Sequence, residues 1–160
     1  MSILDKVIIE DSKLTACLAQ LTRPLVFTNG VFDILHRGHV AYLEAARTQG
    51  ASLVVGLNSD MSVRLLCKGL GRPINAELDR AFVLGGLSSV TLVVLFDEHT
   101  PLALMSKLSP DIYVKGGDYD MDSLEEAALI RSWGGRAMSI PFADGYSTTS
   151  LVRRIQSFGV

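Results

Sequence analysis

The sequence is poor in the features that mark several protein classes. It has two cysteines, Cys17 and Cys67, in 160 residues. Neither stands in a Cys-x-x-Cys or Cys/His spacing, which argues against a disulfide framework or a thiolate metal centre. No uninterrupted apolar run approaches the roughly 20 residues of a membrane span, and Met1 to Lys6 lacks the basic stretch and apolar core of an export signal. A soluble chain in a reducing cytoplasm, without membrane insertion, is the expectation. The formal net charge is −2 and the isoelectric point near 5.9, which leaves no global basic field for nucleic acid. Any anion site must be assembled locally. The Gly-Lys-Ser/Thr P-loop, the Gly-x-Gly-x-x-Gly fingerprint and the Gly-x-Ser-x-Gly elbow are all missing. Histidine is scarce at three residues, so where it stands is informative.

What is present describes one globular domain: 48% hydrophobic and 20% charged residues in a chain long enough to bury a core. Apolar runs predict strands over 24–28, 51–57, 90–96, 111–114 and 136–141. Amphipathic segments predict helices over about 12–21, 40–49, 76–87, 101–108, 123–133 and 149–158, with Ser59 or Asp60 capping a short one between. Residues 1–23 read as a packing appendage to a domain spanning 24–160. Strands that are nearly all apolar and alternate with helices predict an α/β architecture, a doubly wound parallel sheet of about five strands with helices on both faces.

In such sheets ligands bind beyond the carboxyl ends of the strands. The unusual polar stretches, Asn29 to His39, Asn58-Ser59-Asp60 and Lys115 to Tyr119, all follow predicted strands. Two of the three histidines, His36 and His39, flank Gly38. On a helix beginning near Leu35 they would share a face in its first turn, where free N–H groups attract anions. Gly38 would let a bulky ligand approach the backbone. The same spacing alone fits two surface histidines equally well. Ser147-Thr148-Thr149-Ser150 at the start of the last helix reads as an anion cradle or as a plain N-cap. Lys68, Arg72 and Lys115 bring loop cations; Asp33 and Asp118 could hold a sugar hydroxyl or a metal, Asp118 being equally a turn residue. Arg80 could reach the loop ahead of it or simply be a surface charge. With no covalent nucleophile in view, the residues suit direct displacement at phosphorus by positioning and electrostatics.

Gly30-Val31-Phe32-Asp33-Ile34-Leu35-His36-Arg37-Gly38-His39 resembles the His-x-Gly-His signature of the nucleotidylyltransferase superfamily in its cytidylyltransferase-like branch, and Ser147-Thr148-Thr149 with Arg153-Arg154-Ile155 is similar to that branch's second signature. The resemblance runs from about Leu25 to Gln156 and implies a Rossmann-like fold. Asn58-Ser59-Asp60, Lys68-Gly69, Arg72 to Asn75, Val114 to Tyr119 and Asp144 to Thr149 most resemble the adenylyltransferase domains of ADP-heptose synthesis. This chain has no room for the sugar-kinase half of the fused forms, so the separate form is expected. The implied reaction joins ATP and D-glycero-β-D-manno-heptose 1-phosphate into ADP-heptose and pyrophosphate, a step in lipopolysaccharide core synthesis, with Mg2+ held mainly by the nucleotide phosphates. Catalysis is implied for His36, His39 and Lys68. Nucleotide binding is implied for Thr28, Asn29, Gly30, Val31, Phe32, Gly38, Lys115, Gly116, Asp118, Ser147, Thr148 and Thr149. Asp33, Asn58, Arg72 and Arg80 would serve the sugar phosphate. Relatives of this kind often form dimers or larger rings, so a homo-oligomer is possible. Two other readings share the phosphate motifs: a cytidylyltransferase for glycerol 3-phosphate or a related alcohol phosphate, and a non-catalytic nucleotide-binding module.

Overall fold

The structure is a computed structural model that describes residues 2–66, 71–142 and 145–159. In chain order its elements are β1 (Val7–Ile8), α1 (Asp11–Leu18), β2 (Leu25–Gly30), α2 (Arg37–Arg47), β3 (Ser52–Asn58), α3 (Asp60–Leu65), α4 (Glu77–Gly85), β4 (Leu92–Phe96), α5 (Leu102–Leu108), β5 (Ile112–Gly116), α6 (Glu125–Ser132), β6 (Arg136–Ile140) and α7 (Thr148–Gln156). Among the described residues the strands form one sheet in the order β1-β4-β3-β2-β5-β6, and every neighbouring pair is parallel. The chain therefore winds outward from β2 through β3 to β4, then crosses to the other side of β2 to lay down β5 and β6. The order reverses between β2 and β5, the place where a doubly wound sheet accommodates ligands.

Six strands stand where about five were expected, and the additional one comes from the predicted appendage. Val7 pairs with Val93 and Ile8 with Val94, and Ile8 and Leu14 are buried against the core. A two-residue strand is too short to show period-two alternation, so periodicity could not reveal it.

Alternation along β2 sorts its side chains onto two apolar layers. Val26 faces a cluster with Leu43 and Ala46 of α2 and Ala81 and Leu84 of α4. Leu25 and Phe27 face the opposite cluster, with Leu104, Met105 and Leu108 of α5 and Ile130 of α6. Both faces are covered, which is why β3 is buried at each of its positions and reads as one apolar run.

Element ends differ from expectation where tertiary pairing or capping decides them. β2 continues through Asn29 and Gly30 because these pair with Gly56 and Leu57. β5 continues to Gly116 because Lys115 and Gly116 pair with Ser139 and Ile140. Ser59 caps α3 by accepting from the Ser62 amide, and Pro101, predicted as the first residue of its helix, stands at the N-cap of α5.

Candidate active site

A cleft of about 410 Å³ opens at the carboxyl ends of β2, β3 and β5, a size that suits a small-molecule ligand. Its first wall is Asn29 to Asp33 with the start of α2. Here the histidine geometry departs from the expected shared helix face. His36 is the N-cap of α2 with extended backbone, φ −142° and ψ 170°, so only His39 lies in the first turn. The two rings nevertheless stack, 3.8 Å between centroids and 18° between planes. His39 lines the cleft, and the Phe32 ring meets it edge-on at 5.2 Å. Phe32 holds a left-handed backbone, φ 46°, a strained state for a residue with a side chain.

Gly38 is buried beside the pair, but a Cβ there would come within 3.0 Å of Tyr146 Cβ and 3.1 Å of His36 Nδ1. A side chain there would crowd Tyr146 and the His36 imidazole, so this glycine lets the ring pair form. Burial pushes the His36 imidazole below its ordinary value. Burial first, and then the adjoining His36, push His39 down to about 4 against a weaker upward pull from the Ile34 carbonyl. Both rings are neutral at pH 7, each with one N–H, and the Nδ1 atoms of both are buried without a hydrogen-bond partner among the described residues.

The second wall comes from Lys115 and Gly116 at the end of β5, from Tyr119 beyond it and from Phe142 after β6. A Cβ on Gly116 would run into the Phe142 ring, so glycine here makes room for that side chain. Lys115 Nζ stands 5.7 Å from the centre of the Tyr119 ring. Asp118 is exposed and does not line the cleft. At the far end Thr148 and Thr149 begin α7 and face the cleft, and the Thr148 hydroxyl donates to the Ile34 carbonyl at 3.4 Å. Ser147 is occupied as the N-cap, accepting from the Ser150 amide at 3.0 Å.

The floor holds the residues expected to meet the sugar phosphate, and most are tied to protein. Asp33, 6% exposed, accepts from the amides of Ile74 and Asn75 and from Arg72 Nη1 at 2.7 to 3.0 Å. Burial would raise its carboxyl, but the Asn75 amide, Arg72 and the Ile74 amide outweigh it and hold the group below its usual range. Arg72 lines the cleft beside it. Arg80, read as reaching the loop ahead of it, as a surface charge or as serving the sugar phosphate, is 2% exposed and does reach that loop at Asn75. Its guanidinium donates to the carbonyls of Asn75, Val31 and Asn58 and to the Asp60 carboxylate, which ties the ends of β2 and β3 to the segment before α4. Asn58 lines the cleft while its amide donates to the Ser62 hydroxyl at 2.8 Å. Thr28 is fully buried under the cleft, its hydroxyl 2.6 Å from the Tyr42 phenol. Lys68 lies outside the described residues.

Tyr42, Val63, Leu66 and Phe142 line the cleft without having been singled out. Tyr42 carried a signal: it stands three residues after His39, on the same helical stripe. Val63, Leu66 and Phe142 gave none, because apolar residues near strand ends look like core.

Among the described residues no three His, Cys, Asp or Glu converge to hold a metal ion, and no helix is long and apolar enough to cross a membrane.

The profile of the cytidylyltransferase-like family matches residues 27–154. A curated relative, "D-beta-D-heptose 1-phosphate adenylyltransferase" of Bordetella bronchiseptica, is 56% identical over 151 residues, covering 93% of each chain. "Bifunctional protein HldE" of Geotalea uraniireducens is 52% identical over 133 residues, 83% of this chain but 27% of that one. Among solved structures, the lipopolysaccharide core biosynthesis protein from Thermoplasma volcanium superposes with a TM-score of 0.63 at 30% identity, covering 77% of this chain and 98% of the other. With its two signatures framing one cleft at the switch point of a parallel sheet, the chain belongs to the cytidylyltransferase-like family.

Proposed function

We propose that the protein transfers AMP from ATP to D-glycero-β-D-manno-heptose 1-phosphate, giving ADP-heptose and pyrophosphate. The observation that carries this reading is the 56% identity to a heptose 1-phosphate adenylyltransferase across 93% of both chains. The cleft supports it chemically: its described groups suit holding and polarising phosphates.

In the reaction a phosphate oxygen of the sugar 1-phosphate attacks the α-phosphorus of ATP, the bond from that phosphorus to the bridging oxygen breaks, and pyrophosphate leaves. His36 and His39, neutral and stacked, offer N–H donors at the start of α2, where the helix dipole also favours anionic charge. The start of α7, with Thr148 and Thr149, suits the departing phosphates, and Ser147 shapes that helix start as its cap. Gly30, Val31 and Phe32 lie along the nucleotide, and Lys115 to Tyr119 with Phe142 border the nucleoside. Arg72 and Asn58 face the acceptor phosphate, while Asp33 and Arg80 hold these groups in place. Mg2+ arrives with ATP as part of the substrate. Lys68, by its place in the motif, adds a cation to the same phosphates. A cytoplasmic location follows from the need for ATP, and a homo-oligomer, implied by resemblance, is read by light scattering.

The test is a pyrophosphate-release panel crossing ATP and CTP with heptose 1-phosphate, glycerol 3-phosphate and hexose 1-phosphates. Turnover with ATP and heptose 1-phosphate is expected. Preference for CTP with glycerol 3-phosphate would replace the reading by a cytidylyltransferase, and ATP binding by calorimetry without release on any acceptor would replace it by a binding module.

A further inference from the structure

β2 and β5 pair only at Val26↔Ile112 and Phe27↔Tyr113, although β2 runs on to Gly30 and β5 to Gly116. The next positions, Thr28 and Val114, are joined by a side chain instead. The Tyr42 hydroxyl donates to the Val114 carbonyl at 3.1 Å and lies 2.6 Å from Thr28 Oγ1. Because the carbonyl can only accept, the phenol proton is spent on it, and the Thr28 hydroxyl must donate to the phenol oxygen. The result is a directed chain, Thr28 to Tyr42 to Val114, inside a buried pocket where such bonds strengthen one another. Tyr42 is 4% exposed, and its ring packs at 5.3 Å against Phe142 of the second wall.

We propose that Tyr42 is a positioning residue: its hydroxyl, inserted where β2 and β5 separate, sets the width of the cleft and the registry between the histidine wall and the Lys115–Gly116 wall. The same side chain belongs to α2, three residues after His39, so one phenol fixes the helix that carries the imidazole against both strands that border the ligand. Thr28 acts through this link rather than by touching nucleotide. The catalytic consequence rests on the proposed adenylyl transfer; the structural consequence does not.

The variants are Tyr42→Phe and Thr28→Val in the full chain, with kcat, KM for ATP and thermal unfolding measured on each. Positioning predicts that Tyr42→Phe lowers kcat by about tenfold or more while KM for ATP changes less than about threefold. Adding Thr28→Val should then lower kcat little further, because both residues act through one link. Amide hydrogen exchange gives a readout independent of turnover. In Tyr42→Phe the amides of 28–30 and 114–116 should exchange about tenfold faster while those of Val54 and Val93 keep their rates. Unchanged kcat and unchanged exchange at both strand ends would overturn the proposal, as would a kcat loss that only follows a general fall in unfolding temperature. If wild-type protein releases no pyrophosphate, the adenylyl-transfer reading fails and the exchange experiment still decides the positioning role.

Discussion

Asp33 separates two accounts of the cleft. A carboxylate next to a phosphate site invites the role of metal or sugar ligand, but here its oxygens accept from the Ile74 and Asn75 amides and from Arg72, and its carbonyl accepts from the Asn75 amide group. In Asp33→Ala both amides and the guanidinium lose their partner. All three bonds end on an ionised carboxylate, and removing one partner of such a buried, hydrogen-bonded pair costs roughly 3–5 kcal/mol. If the 72–75 segment unfolds only with the rest of the domain, that corresponds to a drop of about 6–20 °C in unfolding temperature. If it opens locally, the loss shows instead as faster amide exchange at Ile74 and Asn75. Turnover falls in either case, because Arg72 is no longer held beside the cleft, and the KM for the sugar phosphate should rise more than that for ATP. The assay set is thermal unfolding, exchange at those two amides, and steady-state kinetics at several Mg2+ concentrations. Unchanged stability and exchange, with activity restored by excess Mg2+, would refute the clasp and make Asp33 a metal ligand.

The remaining predictions concern the histidines and the buried arginine. His36→Ala and His39→Ala should each lower turnover by about two to three orders of magnitude, the size expected when one preorganised donor worth ~3 kcal/mol is removed; pyrophosphate release checks this, and wild-type rates in both variants would contradict it. Because the folded-state value of His39 is about 4 against about 6.5 unfolded, the unfolded chain binds the extra proton between these values. The stability this ring contributes is complete above pH 6.5 and is lost as pH falls towards 4, by roughly 1 kcal/mol between pH 7.5 and 5 after discounting for its partial exposure. Urea unfolding at the two pH values measures it, and His39→Gln should flatten the difference. Arg80→Met strands three carbonyls and the Asp60 carboxylate, so it should cost about 3–5 kcal/mol, seen as a lower urea midpoint with the slope unchanged.

The sequence by itself determined the architecture and the neighbourhood of the chemistry. Apolar runs alternating with amphipathic segments can be satisfied only by a parallel sheet covered on both faces, and in such a sheet the polar stretches after β2, β3 and β5 necessarily gather at one edge. The motif around His36 and His39 is local, so it could be read in a line. Which of the gathered residues face the cleft and which hold it up was decided only by tertiary structure. Thr28 and Arg80 are polar residues in the right neighbourhood yet turned to protein, and Asp33 lines the cleft with its carboxylate committed to protein, because the separating strand ends and the 72–75 segment present amides and carbonyls that need partners. Those partners lie up to 49 residues away, as with Arg80 and Val31, beyond the reach of any periodicity. Phe142 lines the cleft for the opposite reason: its ring looks like core in sequence, and only the tertiary structure gives it a ligand-facing side.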